Sequence, residues 1–108
     1  MDRENLLLPT QILLKKVQLL VELAIAEDWQ AMEILAADYQ KKAAQLNDEI
    51  YLKELANANL TTEFQSLIEQ IQMHNDKLDE QVNAKRESVA TELRHIMQAD
   101  KAMDAYRQ

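Results

Sequence analysis

The chain has 108 residues, no cysteine, no glycine and a single proline, and its formal net charge at pH 7 is −7. The missing cysteine excludes disulfides and cysteine-ligated zinc, and the missing glycine disfavours tight hairpins and phosphate-binding loops. The acidic charge disfavours nucleic-acid binding, because it repels the phosphate backbone. With 47% hydrophobic residues and mostly good helix formers, the composition predicts one all-α domain over residues 1–108.

The first predicted helix covers about residues 10–26, with a start nearer Asn5 left open. Pro9 suits a first helical turn, where a missing N–H costs little. Apolar residues form two adjacent stripes, the first being Leu6, Leu13, Val17, Leu20 and Ala24, and the second being Ile12, Leu19 and Leu23. An apolar face this wide predicts a helix that contacts two neighbours.

The second predicted helix covers about residues 29–56, with Asp28 as its N-cap. Its apolar positions alternate in steps of three and four, which is typical of coiled-coil-like packing: Trp29, Met32, Ala36, Tyr39, Ala43, Leu46 and Ile50. The very short turn before it predicts an antiparallel pairing with the first helix. The sequence leaves open whether Asn47 and Asp48 divide this helix.

The third predicted helix covers about residues 61–97 and is followed by a C-terminal helical segment, 98–108. Asn57 and Asn59 are the candidates to end the second helix, because asparagine tolerates the left-handed conformation. Two apolar rows follow, Phe64, Ile71 and Leu78 in one, and Ile68, Asn75, Val82, Val89, Ile96 and Met103 in the other. The fold predicted is an antiparallel three-helix bundle whose third helix either overhangs its partners or breaks and folds back.

No catalytic residue, metal site or cofactor is predicted. Glu92 and His95 match one Glu-x-x-His step of a helical di-iron site, but the second step is absent. Ser66 and Ser88 lie within helical pattern, where no oxyanion hole can form. The chain is therefore predicted not to be an enzyme.

The first residues show no cationic region followed by an apolar core, so no signal peptide is expected. The longest apolar run is far too short to span a bilayer. These features predict a soluble cytoplasmic protein that does not insert into membranes.

Four sequence features together resemble a known family. They are Leu20-Val21-Glu22-Leu23-Ala24 closing the first helix, Glu27-Asp28-Trp29 opening the second, Tyr39, and a long third helix with Asn75-Asp76-Lys77-Leu78 that ends in Lys101-Ala102-Met103-Asp104-Ala105-Tyr106. The pattern resembles the FliT family of flagellar export chaperones.

The resemblance implies a cytoplasmic chaperone of flagellar type III export. Its client would be the filament-cap protein, held unassembled and delivered to the export apparatus. It further implies contacts with the export ATPase complex and the export gate. In some bacteria it implies binding to the flagellar master transcription regulator, as a protein contact without direct contact to nucleic acid.

An unpartnered apolar row on the third helix is the expected partner surface, since an amphipathic client helix anchors at i, i+3/i+4 and i+7. The expected partner-binding residues are Leu67, Ile71, Leu78, Val82, Tyr39 and Ala43. The resemblance implies that the C-terminal helix covers this surface. The expected cover residues are Ile96, Met97, Met103 and Tyr106, docked after a break between Arg94 and Gln98.

Two alternatives remain at this stage. One is a coiled-coil structural module that self-associates as a homodimer through the third helix. The other is an acidic helical adaptor from a different secretion or signalling system. Helical periodicity does not separate them from a chaperone.

Overall fold

The computed structural model describes the backbone of residues 3–107, and the side chains of residues 5–101 and of Met103. Within that part the helices are joined by short turns, and there is no strand. The chain forms four helices: α1 (Arg3–Ile25), α2 (Trp29–Gln45), α3 (Glu49–Asn57) and α4 (Thr61–Arg107). The all-α class predicted from the composition is confirmed.

Helix α1 begins about two turns earlier than predicted, so Pro9 lies inside it. A proline there removes one backbone hydrogen bond and crowds the preceding turn. Leu6 compensates, because its side chain is buried against Leu55 and Leu60. Its carbonyl also accepts a hydrogen bond from the hydroxyl of Tyr51. Tertiary contacts therefore extend the helix through the proline.

The turns replace glycine with residues that tolerate left-handed backbone. Glu27 ends α1 with φ 59°, and the N–H of Asp28 bonds to the carbonyl of Leu23 as in a Schellman motif. Asp28 then caps α2 by accepting from the N–H of Ala31 at 3.3 Å. Asn59 has the same φ after α3, which confirms the role expected of it.

The helix predicted over residues 29–56 is divided in two. Helix α2 ends at Gln45, and Asp48 starts α3 by accepting a hydrogen bond from the N–H of Ile50 at 3.1 Å. The predicted seam is buried or half-buried from Trp29 to Leu46, but Ile50 is 68% exposed. The aspartate cap competes successfully with helix continuation because its side chain satisfies an N–H at the new helix start.

Helix α1 is the centre of the packing and lies against both α2 and α4. Its first predicted stripe is buried along its whole length, from Leu6 through Val17 and Leu20 to Ala24. One cluster joins Leu13, Val17, Leu46 and Ile71, and a second joins Leu6, Leu55 and Leu60. The second stripe is only partly packed: Ile12 is 39% exposed and Leu19 is 45% exposed.

Helix α4 is continuous from Thr61 to Arg107, so the predicted break between Arg94 and Gln98 is absent. No glycine or proline interrupts this stretch, and nothing else favours ending the helix there. Its 47 residues span about 70 Å, against about 35 Å for the 23 residues of α1. The molecule is accordingly elongated, measuring 76 × 23 × 20 Å, and the C-terminal half of α4 overhangs the other helices.

Candidate protein-binding surfaces

The overhanging part of α4 carries apolar side chains that no other helix covers. We call them the distal stripe: Val89, Leu93, Ile96, Met97 and Met103, between 41% and 61% exposed. Val89, Ile96 and Met103 continue the apolar row that is half-buried at Ile68 and Val82 near the other helices, and Leu93 and Met97 lie beside it. An extended apolar row that leaves its packing partners is typical of a protein-binding surface.

The distal stripe starts where α1 ends and α2 begins. At this point Ala24, Ile25 and Trp29 face Ala84 and Ser88 across a cavity of about 210 Å³. Nζ of Lys85 lies 3.8 Å from Oε1 of Glu27, the residue that turns the chain from α1 into α2. Beyond Ser88, α4 has no further helix to pack against among the described residues.

The structure places the six expected partner-binding residues in two groups. Ile71 is 4% exposed and belongs to the core, with Tyr39 and Ala43 packed against the same cluster. The other three are half-buried along α4: Leu67, Leu78 and Val82. A partner can therefore contact these three directly, whereas Ile71 is reached only if the core opens.

The expected cover residues are part of α4 itself, and the helix does not fold back to place them on its apolar row. Ile96, Met97 and Met103 are 58%, 61% and 55% exposed on the straight helix. The side chain of Tyr106 lies outside the described residues. In this conformation the C-terminal segment is part of the exposed surface and covers nothing else in its own described chain.

Two polar contacts fix how α2 lies against its neighbours. The hydroxyl of Tyr39 donates to Oδ1 of Asn75 at 3.2 Å, so the asparagine in the apolar row of α4 is paired across the bundle. Nζ of Lys16 lies 2.7 Å from Oδ2 of Asp38. This hydrogen bond from Lys16 holds the pKa of Asp38 below its usual value, and it raises the pKa of Lys16.

Sequence reasoning missed one surface on the outer side of α1. Leu8 is 48% exposed, and with Ile12 it forms a ridge between two depressions. The signal was present, because the second stripe of α1 has helical spacing. The sequence did not reveal that the neighbours of α1 would pack on its first stripe and leave the second stripe exposed.

Among the described side chains, no group of three potential metal ligands comes together. None of the helices in the described part of the chain is both long and apolar enough to cross a membrane. The exposed surfaces described above are apolar helix faces with charged borders, a geometry in which amphipathic helices dock.

The fold and the exposed surfaces together define an elongated, acidic, all-α protein with apolar helix faces. A family model described as flagellar protein FliT matches residues 9–108, nearly the whole chain. The chain belongs to the FliT family. No curated protein and no solved structure matches it.

Proposed function

We propose that this protein is a cytoplasmic chaperone of flagellar type III export. Its client is the filament-cap protein, which it keeps unassembled and delivers to the export apparatus. The observation that supports this most strongly is the exposed apolar row of α4 in a member of the FliT family. A chaperone needs such a row, because a client helix must bury its own apolar face against it.

The proposed client site follows α4 from the bundle to the start of the overhang. Leu67, Leu78 and Val82 contact the client helix, and Val89 extends the contact outward. Ile71, Tyr39 and Ala43 act from the core side by holding α4 in place. The spacing from Leu78 to Val82 and Val89 matches the i, i+4 and i+11 positions on one helical face.

We interpret the part of the molecule that holds α4 as an antiparallel three-helix bundle. It consists of α1, α2 and the first half of α4, and the short helix α3 connects α2 to α4. The ion pair between Lys16 and Asp38 supports an antiparallel α1–α2 hairpin, since both residues are equally far from the turn at Glu27. The Tyr39–Asn75 contact, together with the position of Trp29 beside Ser88, supports the corresponding antiparallel pairing of α2 with α4. This arrangement presents α4 along its length to a partner.

In the free protein we propose that a second copy covers the exposed row, giving a homodimer. If two α4 helices pair antiparallel about Leu93, Met97 of one copy lies opposite Val89 of the other. The same pairing places Glu92 of one copy opposite Arg94 of the other. The attraction between these opposite charges favours that register. In this homodimer the cover residues of one copy lie on the apolar row of the other copy: Ile96, Met97, Met103 and Tyr106. A client helix that binds the same row displaces the second copy.

Binding of the client to full-length protein by titration calorimetry tests the function. The ligand is the C-terminal segment of the filament-cap protein. We expect one-to-one binding that Val82→Glu weakens by at least tenfold, or about 1.4 kcal/mol. Glu80→Gln, on the exposed side of α4, serves as the matched control. Absence of binding, or equal affinity in Val82→Glu, would contradict the proposal.

By extension from the family we also propose contacts with the export ATPase complex and export gate, and regulation of transcription by protein contact with the flagellar master regulator. The alternative function is a coiled-coil structural or adaptor module that only self-associates. The exposed distal stripe fits it equally well. The two functions differ in the same titration, because a structural module forms homodimers but does not bind the filament-cap segment.

A further inference from the structure

We propose that the outer face of α1 is a second docking surface, separate from α4, for an amphipathic helix of a partner protein with acidic residues on both sides of its apolar stripe. This goes beyond the proposed client site. It rests on the shape of the face, on its exposed apolar residues and on the charges that border it.

The shape is a ridge between two grooves. Leu8 and Ile12 line both grooves and so form the ridge. On one side lies a cavity of about 690 Å³ at the junction of α2 and α3, lined in part by Pro9, Leu46 and Tyr51. On the other side the groove has a volume of about 360 Å³. Grooves beside a ridge of helical side chains are the geometry into which a second helix packs.

The apolar content of the face is unusual for the exposed side of a helix. Leu8, Ile12 and Leu19 are 48%, 39% and 45% exposed and follow one another at i, i+4 and i+11. They span about 16 Å along α1, or three helical turns. A partner helix with anchors at i, i+3/i+4 and i+7 covers about 10 Å of this length, and a further anchor at i+11 covers the whole of it.

The charges at the border select the partner. Lys15 lines the smaller groove and Lys42 lines the larger one, so one lysine stands on each side of the ridge. Two aspartates offset part of this charge: Asp38 contacts Lys16 at 2.7 Å and Lys42 at 3.6 Å, and Asp48 lines the larger groove while it caps α3. With three lysines (Lys15, Lys16 and Lys42) against two aspartates (Asp38 and Asp48), this face has a net charge of +1 in a chain whose net charge is −7, which favours an acidic helix.

Fluorescence anisotropy with two designed helical peptides tests the proposal on the full-length protein. Both peptides carry leucines at i, i+3, i+4 and i+7; one has glutamates on both flanks and the other has lysines. We expect the glutamate-flanked peptide to bind at least tenfold more tightly. Joint substitution of Lys15→Glu and Lys42→Glu should reverse that preference, which a purely structural role of these lysines would not do.

Ile12→Ser should weaken the glutamate-flanked peptide about tenfold. Ile34→Ser is the matched control, because Ile34 is 71% exposed on α2 and lines neither groove. Circular dichroism melts verify that each variant is folded. Amide chemical shifts should change around Leu8, Ile12 and Lys42.

Three results would overturn the proposal: no binding of either peptide, equal binding of both, or chemical shift changes confined to Val89 and Leu93 on α4. The last result would assign peptide binding to the distal stripe. It would leave the proposed chaperone function intact, so the two proposals fail separately.

Discussion

Individual leucines on α1 have opposite roles depending on the face they occupy. Leu20 is fully buried, whereas the adjacent Leu19 is 45% exposed. We expect Leu20→Ala to lower the free energy of unfolding by about 2–5 kcal/mol, because it leaves a cavity in the core. Leu19→Ala is the matched control and should cost much less. Chemical denaturation measures both, and equal losses would show that the two faces of α1 are wrongly assigned.

The carboxylate of Asp38 gives the stability of the α1–α2 contact a pH dependence. Its pKa is lowered by Lys16, so its contribution is complete above the unfolded value of 3.8 and is lost as the pH falls through the lower folded pKa. We expect Asp38→Asn to remove this part of the acid destabilisation. Urea titrations over an acidic pH series measure it, with the exposed Asp79→Asn as control. Parallel pH profiles for wild type and Asp38→Asn would contradict the assignment.

At the scale of elements, α3 is held by the buried side chain of Leu55 and by one aromatic side chain, that of Tyr51. The Tyr51 hydroxyl donates to the carbonyl of Leu6 and therefore accepts from Oγ1 of Thr10, at 3.0 Å. The ring of Tyr51 also packs edge-on against Phe64, with ring centroids 6.2 Å apart. One residue thus connects α3 to both α1 and α4.

Tyr51→Phe should cost about 1–3 kcal/mol, because the fully buried hydroxyl of Thr10 loses its partner. Adding Thr10→Val should recover part of the loss, since both polar groups are then gone. Denaturant unfolding measures the free energies, and hydrogen exchange reports whether the amides of α3 lose protection first. Strictly additive losses in the double variant would argue against the hydrogen bond.

The overhang of α4 gives a second prediction at this scale. Removing every residue after Arg94 deletes the proposed cover but leaves Val82 and Val89 in place. We expect the truncated protein to bind the filament-cap segment about tenfold more tightly, corresponding to about 1.4 kcal/mol of lost competition. Calorimetry against full-length protein measures the difference. Unchanged affinity would mean that the segment is not a cover, and weaker binding would mean that it belongs to the client site.

The elements show how far the sequence predicts this molecule. The buried stripe of α1 and the seam of α2 up to Leu46 followed from periodicity alone, as did the lack of partners for Val89 and Ile96. The split at Asp48 did not follow, because apolar positions continue in the same steps across it. The expected break after Arg94 had no helix-breaking residue to support it, and the helix continues.

The candidate surfaces were predicted less completely than the helices. Periodicity identified an apolar face that includes Leu67, Leu78 and Val82. It could not show that Ile71, on the same face, would be buried in the core. Periodicity also could not show that the neighbours of α1 would pack on its first stripe and leave the second stripe exposed. The contact between Thr10 and Tyr51 joins residues 41 positions apart, and no local pattern predicts such a pair.

For the whole molecule, the central claim is that a client helix and a second copy compete for the apolar row of α4. The distal part of this row is exposed within its own chain, and we propose that one of the two covers it. The homodimer and the client complex are then mutually exclusive states of one surface.

The most direct measurement is the molar mass in solution, by light scattering coupled to size-exclusion chromatography, before and after addition of the filament-cap C-terminal segment. We predict a homodimer alone and a one-to-one heterodimer with the segment. Leu93→Glu should give a monomer that still binds the segment. A client complex that retains two copies of this chain, or a protein that stays dimeric and ignores the segment, would contradict the claim.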